Sequence, residues 1–165
     1  MSTGGKKIAV IGAGPAGYTA AQELSKNGYT VDIYDKEDRL GGAIYTGIPE
    51  YRMSKVFLDK VFASMKEDKN ITFHFNTKID CEKFEGLRKN YDKVLVATGA
   101  QIENTYGFEP GNGLYAGLTL LYDLNIHGNH EYYKKYKKAM VWGGGNVAMD
   151  CARSLVRIID DVSVV

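Results

Sequence analysis

Cysteine is nearly absent from this 165-residue chain: the two present, Cys81 and Cys151, stand far apart and form no CxxC. That excludes a disulfide framework, an iron–sulfur ligand set carried within the chain, and a redox-active dithiol pair. Histidine is as sparse. His127-x-x-His130 has a spacing that metals use, but no cysteine or third histidine accompanies it, and His74 reads as a strand residue among apolar neighbours. No Ser/His/Asp or Cys/His set converges, so no catalytic side chain is expected. No apolar run approaches the ~18 residues needed to span a membrane. The opening MSTGGKK lacks the apolar core and small-residue cleavage site of a signal peptide. With 21 basic and 20 acidic residues the net charge is +1, which leaves no electrostatic footprint for nucleic acid. The lysines of YYKKYKK, 132–138, read as a solvated face. The chain reads as cytoplasmic, with no nucleic-acid or membrane partner.

Glycine, by contrast, is plentiful, at 19 residues, and it is placed in order. KIAVIG, 7–12, is a short β-branched run suited to a strand buried on both faces, and it leads into Gly12-x-Gly14-x-x-Gly17. The first glycine permits a tight turn, the second lets a pyrophosphate approach the backbone, and the third lets the following helix pack against the strand. Pro15 and Ala16 open that helix, whose small stripe Ala16, Gly17, Ala20, Ala21 and Leu24 is expected to lie on a sheet. YTVDIYD, 29–35, reads as a second strand ending in Asp35, 21 residues beyond Gly14, where a carboxylate accepts adenosine ribose hydroxyls. Gly41-Gly42 predicts another close backbone approach, and YDKVLVATGA, 91–100, a third buried strand ending in Ala97-Thr98-Gly99. The twelve tyrosines read as packing residues, with Tyr45, beside the Gly-Gly turn, suggested as a stacking partner for a planar ligand.

A second beginning of the same kind sits near the end. KKAMVW runs into Gly143-x-Gly145-x-x-Ala148, with alanine as the accepted third residue. Asn146, Val147 and Ala148 open a helix whose buried stripe continues through Cys151, which reads as a small core residue rather than a reactive thiol. Asp150 suits the early turns of a helix by its charge and is given no catalytic role. DVSVV, 161–165, reads as the next strand, so the acid or arginines that choose between NADH and NADPH would follow Val165. Between the two fingerprints, LTLLYDL within 101–135 reads as a short helix in a crossover.

GxGxxG, acid, Gly-Gly, ATG and a second GxGxxA together resemble the two-dinucleotide-domain flavoprotein oxidoreductases. Within them, LGGAIYTGIPEYRMSK and WGGGNVAMDCARS are similar to the NADPH-dependent glutamate synthase small subunit and its relatives over roughly residues 6–165. The resemblance implies an α/β fold: a Rossmann-like FAD-binding domain over 1–108 and the incomplete start of a Rossmann-like NAD(P)-binding domain over 109–165. It implies that Gly12, Gly14, Pro15, Ala16 and Gly17 hold the FAD pyrophosphate and Asp35 the ribose. Gly41 and Gly42 then pass the flavin side, Arg52 of GIPEYR anchors FAD, the backbone of Ile79 touches adenine, and Thr98 and Gly99 lie where the chain crosses between domains. Gly143, Gly145, Asn146, Val147 and Ala148 fall to NAD(P)H. The implied activity is hydride transfer from NAD(P)H to FAD and electron transfer onward to an iron–sulfur protein or a glutamate synthase large-subunit-like acceptor. The alternative is a nucleotide-binding module, or an FAD-binding fragment, without turnover. The chain reads as a fragment, and a half-sheet with an open edge predicts pairing with another copy or with further chain.

Overall fold

The structure, a computed structural model, describes residues 5–165; residues 1–4, the first part of the opening read for a signal peptide, lie outside it. The chain divides into two compact units. One runs to Tyr45 and resumes over Lys55–Gln101, and the other takes Thr46–Ser54 and Ile102–Val165.

In the first unit, β1 (Lys7–Ile11), β2 (Thr30–Tyr34), β3 (Ile71–His74) and β4 (Lys93–Val96) form a parallel sheet in the order β3-β2-β1-β4. Helix α1 (Pro15–Lys26) joins β1 to β2, α2 (Ala43–Thr46) and α3 (Lys55–Met65) precede β3, and α4 (Cys81–Asn90) precedes β4. Alternation divides the strand residues between two covers. Val10 meets α1, while Ala9 and Ile11 pack with Leu87 and Phe84 of α4. The buried stripe of α1 is Gly17, Ala21 and Ser25, one residue every turn, and Ala16 is exposed at its open end. β4 differs from the expected buried strand: Leu95 is 37% and Val96 58% exposed. It is the sheet's edge, and an apolar groove lined by Ile8, Ala20, Leu24, Tyr29, Val94 and Leu95 runs beside it.

In the second unit, β5 (Lys138–Val141) and β6 (Asp161–Val164) pair in parallel on either side of α7 (Asn146–Leu155). The expected crossover helix is α5 (Gly117–Tyr122), which continues as a π-helical turn over Asp123–His127; α6 (His130–Tyr133) follows. Leu120, Leu121, Leu124, Tyr133, Cys151, Leu155 and Ile159 form its core. No helix among the described residues is long and apolar enough to cross a membrane.

The α4 face of the sheet buries an acid. Asp32, 5% exposed, accepts from Tyr91 Oη at 2.7 Å, pairs with Lys7 Nζ at 3.2 Å and lies 3.0 Å from His74 Nε2. The His74 ring stacks on Tyr34, its register partner on β2, at 4.4 Å. Burial alone would raise the Asp32 carboxyl; the bonds from Tyr91, His74 and Lys7 outweigh it and hold the group below its ordinary range. A depressed native value stabilises the fold above the unfolded-state pKa and loses that contribution as pH falls through the native value. Asp32→Asn is therefore expected to lower stability at pH 7 by about 1.5–3 kcal/mol. The gap to the wild type should narrow below about pH 4; urea midpoints across this range measure it.

Candidate functional site

The first fingerprint is built by backbones that no side chain separates. Gly12 turns with φ +110° at the end of β1, and its N–H donates to Tyr34 O at the end of β2 (2.8 Å). A Cβ on Gly17 would stand 1.8 Å from Gly12 O, so the third glycine is what lets α1 lie against the turn. Gly14 caps α1 in extended conformation, with Pro15 at the first helical position, and the N–H groups of Ala16 and Gly17 have no intrahelical acceptor. Facing this opening, a Cβ on Gly42 would come 2.8 Å from Gly14 Cα. Gly41 N–H donates to Ala13 O at 3.0 Å and ties the Gly-Gly turn to the fingerprint. The result is a cradle with donors on one wall and bare backbone on the other, a form suited to a pyrophosphate.

Asp35 follows β2 at the mouth of this cradle. Its carboxylate accepts from Ala13 N–H at 2.6 Å and Glu37 N–H at 2.8 Å, one bond to each oxygen. Each oxygen keeps further acceptor capacity. Thr77 N–H donates to Asp35 O at 2.7 Å and brings the loop before α4, with Ile79, beside the acid. The Ile79 side chain packs on the Ala9–Ile11–Leu87 cluster. Thr98 and Gly99 are exposed beyond β4, Gly99 with φ +71°. Tyr45 does not offer a free ring: it is buried, with Arg39 and Lys55 cations 4.9 and 5.0 Å from its centroid.

The second fingerprint repeats the bond that joins the first glycine turn to its second strand. Gly143 turns with φ +109°, its N–H donates to Val165 O at 2.7 Å, and Gly145 caps α7 in extended conformation. Val165 thus stands where Tyr34 stands. The turn is open: a Cβ on Gly143, Gly144 or Gly145 would meet nothing within 4 Å. Asn146 and Val147 are exposed on the first turn of α7 and Ala148 is half-buried.

Arg52 lies in the second unit with the rest of 46–54, and its Nη1 donates to Asp150 Oδ2 of α7 at 2.7 Å. Tyr51 Oη donates to Asp150 O at 3.3 Å, and its ring lies under the guanidinium groups of Arg153 and Arg157 (4.7 and 4.0 Å). The pairing joins GIPEYR to GGGNVAMD across 98 residues, a link that neither motif carries alone. His127 bonds Asp123 Oδ1 at 3.0 Å, and no group of three or more metal-binding side chains occurs among the described residues.

A family model described as pyridine nucleotide-disulphide oxidoreductase matches residues 6–165. The chain is 38% identical over 160 residues to the NADP(+)-dependent formate dehydrogenase subunit beta of Moorella thermoacetica, covering 94% of this chain and 22% of that protein. It is 34% identical over 166 residues to the glutamate synthase [NADPH] small chain of Azospirillum brasilense, covering 93% and 34%. The chain therefore spans about a third or less of these relatives. Mycobacterium tuberculosis FprA, solved in complex with NADPH, shares the fold with TM-score 0.80 at 23% identity, over 97% of this chain and 43% of that one.

The two fingerprints differ in tolerance. Gly17→Ala is expected to cost about 3 kcal/mol because its methyl meets a backbone oxygen, while Gly145→Ala stays within about 0.5 kcal/mol; urea unfolding of the pair decides. The thiols differ as well. Cys151 is buried, and burial, then the charges of Glu103 and Asp150, push its thiol up to about 12, whereas Cys81 is exposed. A thiol reagent at neutral pH should label Cys81 rapidly and Cys151 only on unfolding.

Proposed function

The chain belongs to the pyridine nucleotide-disulphide oxidoreductase family, and we propose that it supplies the two nucleotide-receiving turns of an FAD-dependent NAD(P)H oxidoreductase of the glutamate synthase small-subunit type. The observation that carries the reading is the approach of Gly42 to Gly14 beneath the open end of α1, a cradle that any Cβ on Gly42 would fill. FAD fits it. Gly12, Gly14, Pro15, Ala16 and Gly17 bind the pyrophosphate through backbone and the helix end, Asp35 accepts the ribose hydroxyls with its remaining lone pairs, and the Ile79 backbone meets adenine. Gly41 and Gly42 let the flavin side pass, Arg52 anchors FAD with donors its Asp150 bond leaves over, and Thr98 and Gly99 mark the crossing between domains over 1–108 and 109–165. Gly143, Gly145, Asn146, Val147 and Ala148 take the phosphates of NAD(P)H.

When bound, these cofactors supply hydride transfer from nicotinamide to flavin. The chain's own residues bind and orient them, so no side chain is assigned to catalysis. Electrons then pass to an iron–sulfur protein or a large-subunit-like acceptor, in a cytoplasmic enzyme. The names of the formate dehydrogenase and glutamate synthase relatives, both subunits or chains of larger enzymes, support this.

The test is a visible spectrum after incubation with FAD and gel filtration, followed by anaerobic NADPH or NADH. Retained flavin bands that bleach on nucleotide addition are expected. Retained bands that do not bleach would leave a nucleotide-binding module without turnover. Failure to take up FAD would overturn the assignment of the first cradle.

A further inference from the structure

The reading that α7 receives a pyridine nucleotide raises an electrostatic question at its second turn. Asp150 lies four residues after Asn146, about 6 Å along the axis from the end that takes phosphates. A carboxylate there opposes an anionic ligand over a distance shorter than the ~10 Å screening length of 0.1 M salt. Asp150 is 7% exposed, so water does little to mask it. Among the described residues its ion-pair partner is Arg52, at 2.7 Å. Arg153, farther along α7, and Arg157, in the turn beyond it, lie over the Tyr51 ring and make no ion pair with Asp150 among the described residues.

Arg52 does not belong to α7. It arrives on Thr46–Ser54, a strap that leaves the first unit after Tyr45 and returns to it at Lys55. The strap is held by Arg52 and Tyr51 on Asp150 and by Asn125 Nδ2 on Thr46 O at 2.8 Å; its own turn is closed by Arg52 and Met53 N–H groups on Pro49 O (2.9 and 3.1 Å). With the strap docked, Asp150 is neutralised; undocked, the same carboxylate stands unpaired beside the phosphate end.

We propose that Asp150 and Arg52 are a positioning pair that couples docking of the strap to binding of the pyridine nucleotide at α7, resting on the reading given under Proposed function. An anionic nucleotide favours the docked strap because only that state cancels the Asp150 charge, and by linkage the docked strap raises nucleotide affinity by the same factor. This also accounts for a buried acid on an anion-binding helix, where a neutral residue would otherwise serve.

The experiment titrates NADPH and NADH into the full chain with emission of Trp142, the sole tryptophan and the residue before Gly143, as the readout. Arg52→Gln is expected to weaken binding about three- to tenfold, with the loss fading at 1 M salt, where screening shortens to ~3 Å. Arg52→Lys, which keeps the charge, should bind like the wild type. The double variant Arg52→Gln/Asp150→Asn should recover most of the affinity; a purely structural pair predicts that it stays as weak as Arg52→Gln. In parallel, hydrogen exchange of the Arg52 and Met53 amides should slow on adding NADPH to the wild type. Binding by Arg52→Gln equal to wild type, or no recovery in the double variant, would overturn the coupling while leaving the function reading intact. Absence of NADPH and NADH binding by the wild type would overturn that reading and the coupling with it.

Discussion

The carbonyl oxygen of Gly12 occupies the place where a side chain on Gly17 would begin, 1.8 Å from the ideal Cβ position. This single backbone contact sets the distance between helix and strand end, and the rest of the first unit follows from it. With α1 seated so low, its first-turn N–H groups open toward the space past β1. Gly42 then closes on Gly14 from the other side, and Phe62 of α3 covers the Gly41 turn. The carboxylate of Asp35 accepts from Ala13 N–H, so the acid and the glycine turn form one piece. Nothing in this arrangement needs a reactive side chain. What it offers is the direction of its backbone donors, which suits the cofactor binding proposed above.

The second unit keeps the hydrogen bond between glycine turn and second strand but not the compression. Gly143 and Val165 reproduce Gly12 and Tyr34, while Ala148 replaces the third glycine and the turn has free space around it. Alanine is tolerated because nothing there corresponds to the Gly12–Gly17 contact. The same sequence pattern thus encodes a tight cradle once and a looser one the second time, and the residue at the third position marks the difference.

Much of this was legible in the residues. Strand, fingerprint, helix, strand and acid follow one another in order, and each local rule points the same way, so the first βαβ unit, the second fingerprint and the core role of Cys151 could be read directly. Burial at β4 could not. VLV has the composition of an inner strand, and only the order β3-β2-β1-β4 places it at an edge. The Asp32 cluster was equally invisible, because an aspartate in YTVDIYD reads as the polar member of an alternation until Tyr91, His74 and Lys7 arrive from three other segments. Ala16 departs from its stripe for a related reason: periodicity gives a face but not which turn of a helix stays uncovered.

The long-range pairing of Arg52 with Asp150 shows what sequence motifs conceal. An acid early in a helix is favoured by the dipole, and that argument alone explains Asp150 in an ordinary helix. On a helix end that takes phosphates, as proposed above for α7, the same charge would compete with the ligand, and burial would make the conflict sharper. Arg153, the basic residue one turn along α7, stacks on Tyr51 instead, as does Arg157 just beyond the helix. A cation delivered across the chain from residue 52 meets the carboxylate directly. The two most distinctive stretches of the sequence, GIPEYR and GGGNVAMD, therefore meet in one ion pair, Arg52 with Asp150.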